Sequence, residues 1–381
     1  MAAGLFVLSG CVAGQASPDT TRQDIQRTLD ARAAAVLDHD AEAFGAAGRE
    51  EFANLADVPL RSWEYRLTDV RRSGDRATAD AQLRYRLDGY DSAPVTAART
   101  LELAERDGRW YVTADRPGRG GAQQLWQQGD VDVVRGERSL VLGVGQDRAR
   151  LRQIASDADR AVPAVAAAWP GEWADRVVVL VPDSLAAMGG LLGAPAAGYR
   201  GIAAVTTGET GRNGAAPADR VIVNPEAYGE LGEFGRRIVL THETTHVATR
   251  AHTSQATPMW LSEGYADWVA YRGTGRTAAQ AAPELRRAVR AGDAPRTLPA
   301  DEDFRFGTGA DALGRAYEGG WLACELIADR WGAGALSDFY RAVGAQPRRE
   351  GALEQALREV LDTNPEAFTA AWRDYVRLRL G

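Results

Sequence analysis

The hydrophobic period of this chain changes twice along its 381 residues, and each change calls for a different kind of layer. From Thr20 to Ala47 the apolar positions Ile25, Leu29, Ala33, Val36 and Leu37 recur at helical spacing. That spacing predicts one long amphipathic helix, and "REEFANL" adds a shorter helical piece. From Ser62 the period falls to two: "WEYRLTDVRRSG", "ATADAQLRYRL", "AARTLELAERDG" and "RWYVTADRP" alternate as strands do, with Ser73-Gly74 and Asp107-Gly108 as turn signals. The glycine-rich "PGRGGAQQ" (Pro117 to Gln124) interrupts all periodicity. Short strands follow at Val131 to Val134 and Ser139 to Leu142, then a helix from Asp147 to Ala168, then the β-branched runs "RVVVLVP", "GIAAVTT" and "RVIVNP". After Tyr228 nearly everything reads as helix. The expected fold class is α+β: a helix with an antiparallel curved sheet, then a small mixed sheet with a helical C-terminal half. A chain of this length exceeds what a single core usually fills. The expected organisation is therefore residues 1–19 as a leader and tether, 20–117 as a small α+β domain, 118–130 as a linker and 131–381 as a second domain.

Charge narrows the function classes. A formal net charge of -7, from 52 acidic and 45 basic residues, offers no footprint for nucleic acid and no polybasic membrane patch. Every basic residue is arginine, so P-loop and Schiff-base chemistry have no lysine to use. Two cysteines, Cys11 and Cys324, make neither a disulfide framework nor a C-x-x-C site, and Cys324 sits among leucines as a small buried hydrophobe would. The N-terminal "MAAGLFVLSGCVAG" is an apolar run too short to span a bilayer. Its Leu8-Ser9-Gly10-Cys11 resembles the lipobox of a bacterial lipoprotein signal peptide, although no basic residue precedes it. That resemblance implies lipidation at Cys11 and attachment to the extracytoplasmic face of the cell membrane through acyl chains only. The 20–117 region resembles the cystatin-like, nuclear-transport-factor-like fold in its element order and its terminal "DGRWYV" strand, a fold that carries no single function.

Three of the four histidines fall in "VLTHETTHVATRAH", from Val239 to His252. His242 and His246 stand four residues apart, so on a helix both imidazoles lie on one face and can reach one metal ion. Phe234 and Ile238 continue the same stripe, and Glu243 falls beside it, where a carboxylate can serve as base without ligating the metal. A catalytic zinc needs a third protein ligand and an open position. His252 has the spacing of the third histidine in metzincins, with Met259 as a conceivable methionine turn, yet Thr249 stands where that family's helix-breaking glycine is required. The rival segment is "TPMWLSEGYADWVAYRG". Thr257 reads as an N-cap and Pro258 as the first helical residue, which puts Glu263 and Asp267 one turn apart on one helix face.

H-E-x-x-H followed by W-L-S-E-G resembles the gluzincin zinc metallopeptidases, both the aminopeptidase-like and the thermolysin-like branches. The resemblance covers residues 140–381 in organisation, and it implies a zincin-like domain in which His242, His246 and Glu263 bind Zn2+. It further implies that Glu243 is the general base and that Asp267 accepts the N–H of the first histidine. "GRAYEGGW" resembles that branch's Y-x-K-G segment and makes Tyr317 the candidate oxyanion donor, with Gly319 where the family has lysine. No G-A-M-E-N stretch is present, so aminopeptidase specificity is not implied. "YRGIAAVTTGE" precedes the motif helix in the place of the edge strand that pairs with extended peptide. The expected activity is zinc-dependent hydrolysis of a peptide or protein substrate. A metallopeptidase-like protein that binds a peptide without cleaving it is the alternative, and the intact Glu243 argues for hydrolysis.

Overall fold

The computed structural model describes residues 18–207, 218–305 and 309–381; the apolar leader with Cys11 and the end of the "YRGIAAVTTGE" stretch lie outside them. The chain is mixed α and β, with an antiparallel sheet, a mixed sheet and a helical C-terminal half. No helix among the described residues is long and apolar enough to cross a membrane. Two compact units divide the chain. One takes the described residues of Met1–Arg49 with Trp63–Arg84 and Ala97–Arg119, and the other takes Glu50–Ser62, Tyr85–Thr96 and Gly120–Gly381.

Helices α1 (Pro18–Leu37), α2 (Ala41–Phe44) and α3 (Arg49–Ala53) precede strands β1 (Leu60–Ser73), β2 (Arg76–Leu87), β3 (Val95–Arg106) and β4 (Arg109–Pro117), which form one sheet in chain order. Asp107 and Gly108, at φ 51° and 73°, make the tight turn between β3 and β4, and both central residues of such a turn need positive φ. The core of the first unit is the inner face of these elements: Ile25, Leu29, Trp63, Tyr65, Leu83, Leu101 and Trp110 are all buried. Arg99 and Asp115 pair at 2.7 Å within it, both nearly inaccessible.

In the second unit, β5 (Asp132–Arg135) and β6 (Ser139–Gly143) precede α4 (Arg148–Ala168), β7 (Val177–Val181), α5 (Leu185–Leu192), β8 (Ala204–Thr207) and β9 (Arg220–Val223). The sheet order is β5-β6-β7-β9-β8, with β6, β7 and β9 parallel and the two outer strands antiparallel. Among the described residues strand β8 is thus an edge. Then come α6 (Pro225–Gly229), α7 (Glu233–Thr249), α8 (Met259–Tyr271), α9 (Ala278–Ala281), α10 (Pro283–Arg290), α11 (Ala310–Trp331), α12 (Ala333–Gly344), α13 (Ala352–Leu361) and α14 (Pro365–Leu380). Two apolar cores stand out among the described residues. Val141, Val179, Val221 and Ile154 fill one between sheet and α4, while Trp260, Leu322, Phe339 and Trp372 fill the other among the C-terminal helices. Helix α7 serves both, giving Leu240 to the first and Ala248 to the second.

Two sequence expectations need correction here. The 118–130 stretch is not a bare linker: Leu125 and Trp126 turn inward in a short 3-10 helix, and Trp126 meets Tyr85 edge-on with ring centroids 5.0 Å apart. Nor does Thr257 cap α8. Its hydroxyl accepts the Ser254 N–H, while the Met259 N–H at the head of α8 is taken by Asp301 at 2.9 Å, a cap supplied from 42 residues away.

Candidate metal and catalytic site

Helix α7 brings the site together despite being rich in threonine, a poor helix former that competes for backbone partners. Thr241, Thr244, Thr245 and Thr249 are all buried, and Thr245 returns its hydroxyl to the Thr241 carbonyl at 2.8 Å. His242 and His246 emerge on one side of this helix with their Nε2 atoms 3.1 Å apart. From α8, Glu263 approaches with Oε2 at 3.2 Å from His242 Nε2 and 3.4 Å from His246 Nε2. These three are the one group of His, Cys, Asp and Glu side chains among the described residues whose donor atoms converge in this way, all within 4.8 Å of one another.

The donor set fits zinc. Ligands at about 2.0–2.1 Å in a tetrahedral shell stand roughly 3.3 Å from each other. The three observed separations, 3.1, 3.2 and 3.4 Å, bracket that edge length. Two nitrogens and one carboxylate oxygen leave one tetrahedral position for a reacting molecule. Behind the first histidine, Asp267 Oδ1 lies 2.8 Å from His242 Nδ1, one turn along α8 from Glu263, so the Nδ1–H donates to it and Nε2 is left free to ligate. Burial opposes a charged His242, but Asp267, Glu263 and Glu243 outweigh it and raise its pKa well above the ordinary value. Burial likewise opposes ionisation of Glu263, and the charges and hydrogen bonds of the two histidines reverse this and hold its carboxyl far below the usual range.

Glu243 is buried at 7% exposure. Its carboxylate does not join the converging group but accepts the Thr206 hydroxyl of edge strand β8 at 2.6 Å. Tyr317, on α11, sits with its ring 6.3 Å from that of His242 and edge-on to Phe304. Burial, then the charges of Glu263, Asp267 and Glu243, push its hydroxyl pKa far up, so it remains a hydrogen-bond donor. A cavity of about 180 Å³ opens beside Asp267 and Tyr317, walled by Tyr271, Glu318 and Trp321. Gly319, where the resembled family has lysine, faces Pro299 and Trp372.

His252 takes no part. The α-helix stops at Thr249, and a 3-10 turn over Arg250–His252 carries the third histidine to the edge of the Trp169 ring, with centroids 5.6 Å apart. Burial and nearby Arg341 lower its pKa. Cys324 is buried, its thiol 4.0 Å from the Leu261 carbonyl, and burial raises its pKa. Two contributors escape sequence reasoning because they are tertiary. Thr206 lies 37 residues before its partner Glu243. Asp219 accepts the Arg250 Nε at 3.1 and 3.2 Å, pinning the end of α7 to the start of β9; burial pushes its carboxyl up to about 6 although Arg250 opposes the shift.

No known family's sequence profile matches the chain, and no curated protein matches it. Among solved structures, the chain is similar to a mutant of a two-domain M1 zinc metallopeptidase bound to L-arginine, at 15% identity and a TM-score of 0.38. That match covers 81% of this chain and 62% of the other, so the chain spans less than two thirds of that protein's length.

Proposed function

We propose that this chain is a zinc-dependent hydrolase of peptide bonds. The observation that carries the reading is the convergence of His242, His246 and Glu263 at tetrahedral-edge spacings, with a buried carboxylate, Glu243, on the residue next to the first ligand. A zinc ion held by these three side chains would supply a Lewis acid that polarises the scissile carbonyl and acidifies water. Glu243 takes the proton of the attacking water and delivers it to the leaving amine. The Tyr317 hydroxyl, kept protonated, donates to the oxygen that gains charge. Asp267 fixes the tautomer of His242 throughout. The place of β8 as the outermost strand among the described residues supports docking of an extended peptide by backbone pairing. Anchoring through Cys11 on the extracytoplasmic face of the cell membrane is part of the same proposal, motivated by the lipobox-like segment, and mass spectrometry of the N-terminal peptide would reveal the acyl chains or their absence.

The decisive experiment uses the soluble form starting near Gln15. It should carry about one zinc per chain, as a mononuclear catalytic site does. Glu243→Gln should retain that zinc and lose on the order of 10²- to 10⁴-fold in turnover of a broad peptide library. A wild type that takes up no zinc sinks the proposal, whereas zinc-loaded protein that cleaves nothing points to peptide binding alone.

A further inference from the structure

We infer that Thr206 is a positioning residue for Glu243, so that the orientation of the base is set by edge strand β8 and not by α7 alone. Thr206 Oγ1 lies 2.6 Å from Glu243 Oε2 and 3.0 Å from the Glu243 backbone oxygen. A hydroxyl has a single proton, and the closer acceptor, an anion when Glu243 is ionised, is the stronger one. The proton therefore points to the carboxylate. Glutamate has three side-chain torsions, and a base working on water must hold its oxygen to a fraction of an ångström. Among the described residues of the cluster no other side chain does this, because Asp267 is engaged with His242 and Glu263 faces both histidines. Among the described residues strand β8 is the outermost of its sheet, paired with β9, where Thr206 stands opposite Val221. Any shift of β8 against α7 is thereby transmitted to Glu243 through one hydrogen bond.

The kinetic half of the test rests on the hydrolase reading; the structural half does not. Crystal structures of zinc-loaded wild type, Thr206→Ser and Thr206→Val would be compared, with Thr206→Ala replacing the valine variant if that one does not fold. The wild type and Thr206→Ser should keep Glu243 Oε2 on the hydroxyl of residue 206. Without the hydroxyl, the carboxylate should leave that place or split between rotamers, while zinc content and the positions of His242, His246 and Glu263 stay the same. On a peptide that the wild type cleaves, loss of the hydroxyl should lower kcat on the order of 10²-fold with KM nearly unchanged, and serine should restore most of it. A valine variant with Glu243 unmoved, or with full kcat, overturns the inference. A wild type that holds Glu243 on Thr206, binds zinc and cleaves nothing removes the hydrolase reading, and the crystal structures then decide the positioning role alone.

Discussion

Three histidines within eleven residues divide into two that converge with Glu263 and one that does not, and the division follows from what each ring touches. His242 and His246 face each other and Glu263, while His252 lies on Trp169. Glu263→Ala should abolish stoichiometric zinc, whereas His252→Ala should leave it at the wild-type level with at most a modest loss of stability; metal analysis on both variants separates the two site models. The histidine pair was legible because its geometry is local: four residues on a helix fix the spacing whatever surrounds it. Glu263 was legible through its motif. Thr206 was not, since no spacing rule connects a strand residue to a helix residue 37 positions on.

At the level of elements, Gly264, next to Glu263 on α8, and Gly320, on α11, determine how closely the two helices approach. A Cβ on Gly264 would stand 2.2 Å from the Gly320 carbonyl oxygen, and one on Gly320 would stand 2.7 Å from the Trp260 oxygen. Backbone therefore meets backbone directly behind Glu263. Gly264→Ala should cost roughly 1–3 kcal/mol as overpacking does, and should also weaken zinc binding by displacing Glu263, both measurable by thermal unfolding with and without metal. Immediately after Tyr317 on α11, Glu318 accepts the N–H groups of Glu284 and Leu285 at 3.1 and 2.5 Å at the start of α10. Burial pushes its carboxyl up to about 7 against those donors, from an ordinary 4.5. Between these two values the folded chain holds a proton that the unfolded chain releases, so the Glu318 contribution is full below pH 4.5 and disappears as pH rises through about 7. The unfolding midpoint of metal-free protein should fall less steeply across that window in Glu318→Gln than in the wild type. Most of these helices and strands were readable from period and turn residues. The cap of α8 was not, because Thr257 has the right chemistry locally and Asp301 wins by tertiary placement.

At the scale of the whole chain, the domain boundaries expected along the sequence give way to units that are not contiguous. The cause is visible in single contacts within the larger unit. Arg220 on β9 makes two hydrogen bonds to Asp91, at 2.8 and 2.7 Å and across 129 residues, with both side chains almost wholly buried. Asn54 donates to the Trp126 carbonyl across 72 residues. Composition and periodicity cannot register such pairings. Asp91→Ala should destabilise this unit by about 3–5 kcal/mol, as removal of one partner leaves a buried charge uncompensated, and denaturant unfolding would measure it. The same pair has a practical meaning for anyone wishing to isolate the metal-site half. A fragment beginning at residue 131 would look complete by sequence, yet it would lack Asp91, the carboxylate that takes both hydrogen bonds of the Arg220 side chain to a charged partner. The smallest self-sufficient piece is consequently not one that a single cut can release, and proteolytic nicking after Pro117 should yield two pieces that stay together until denatured.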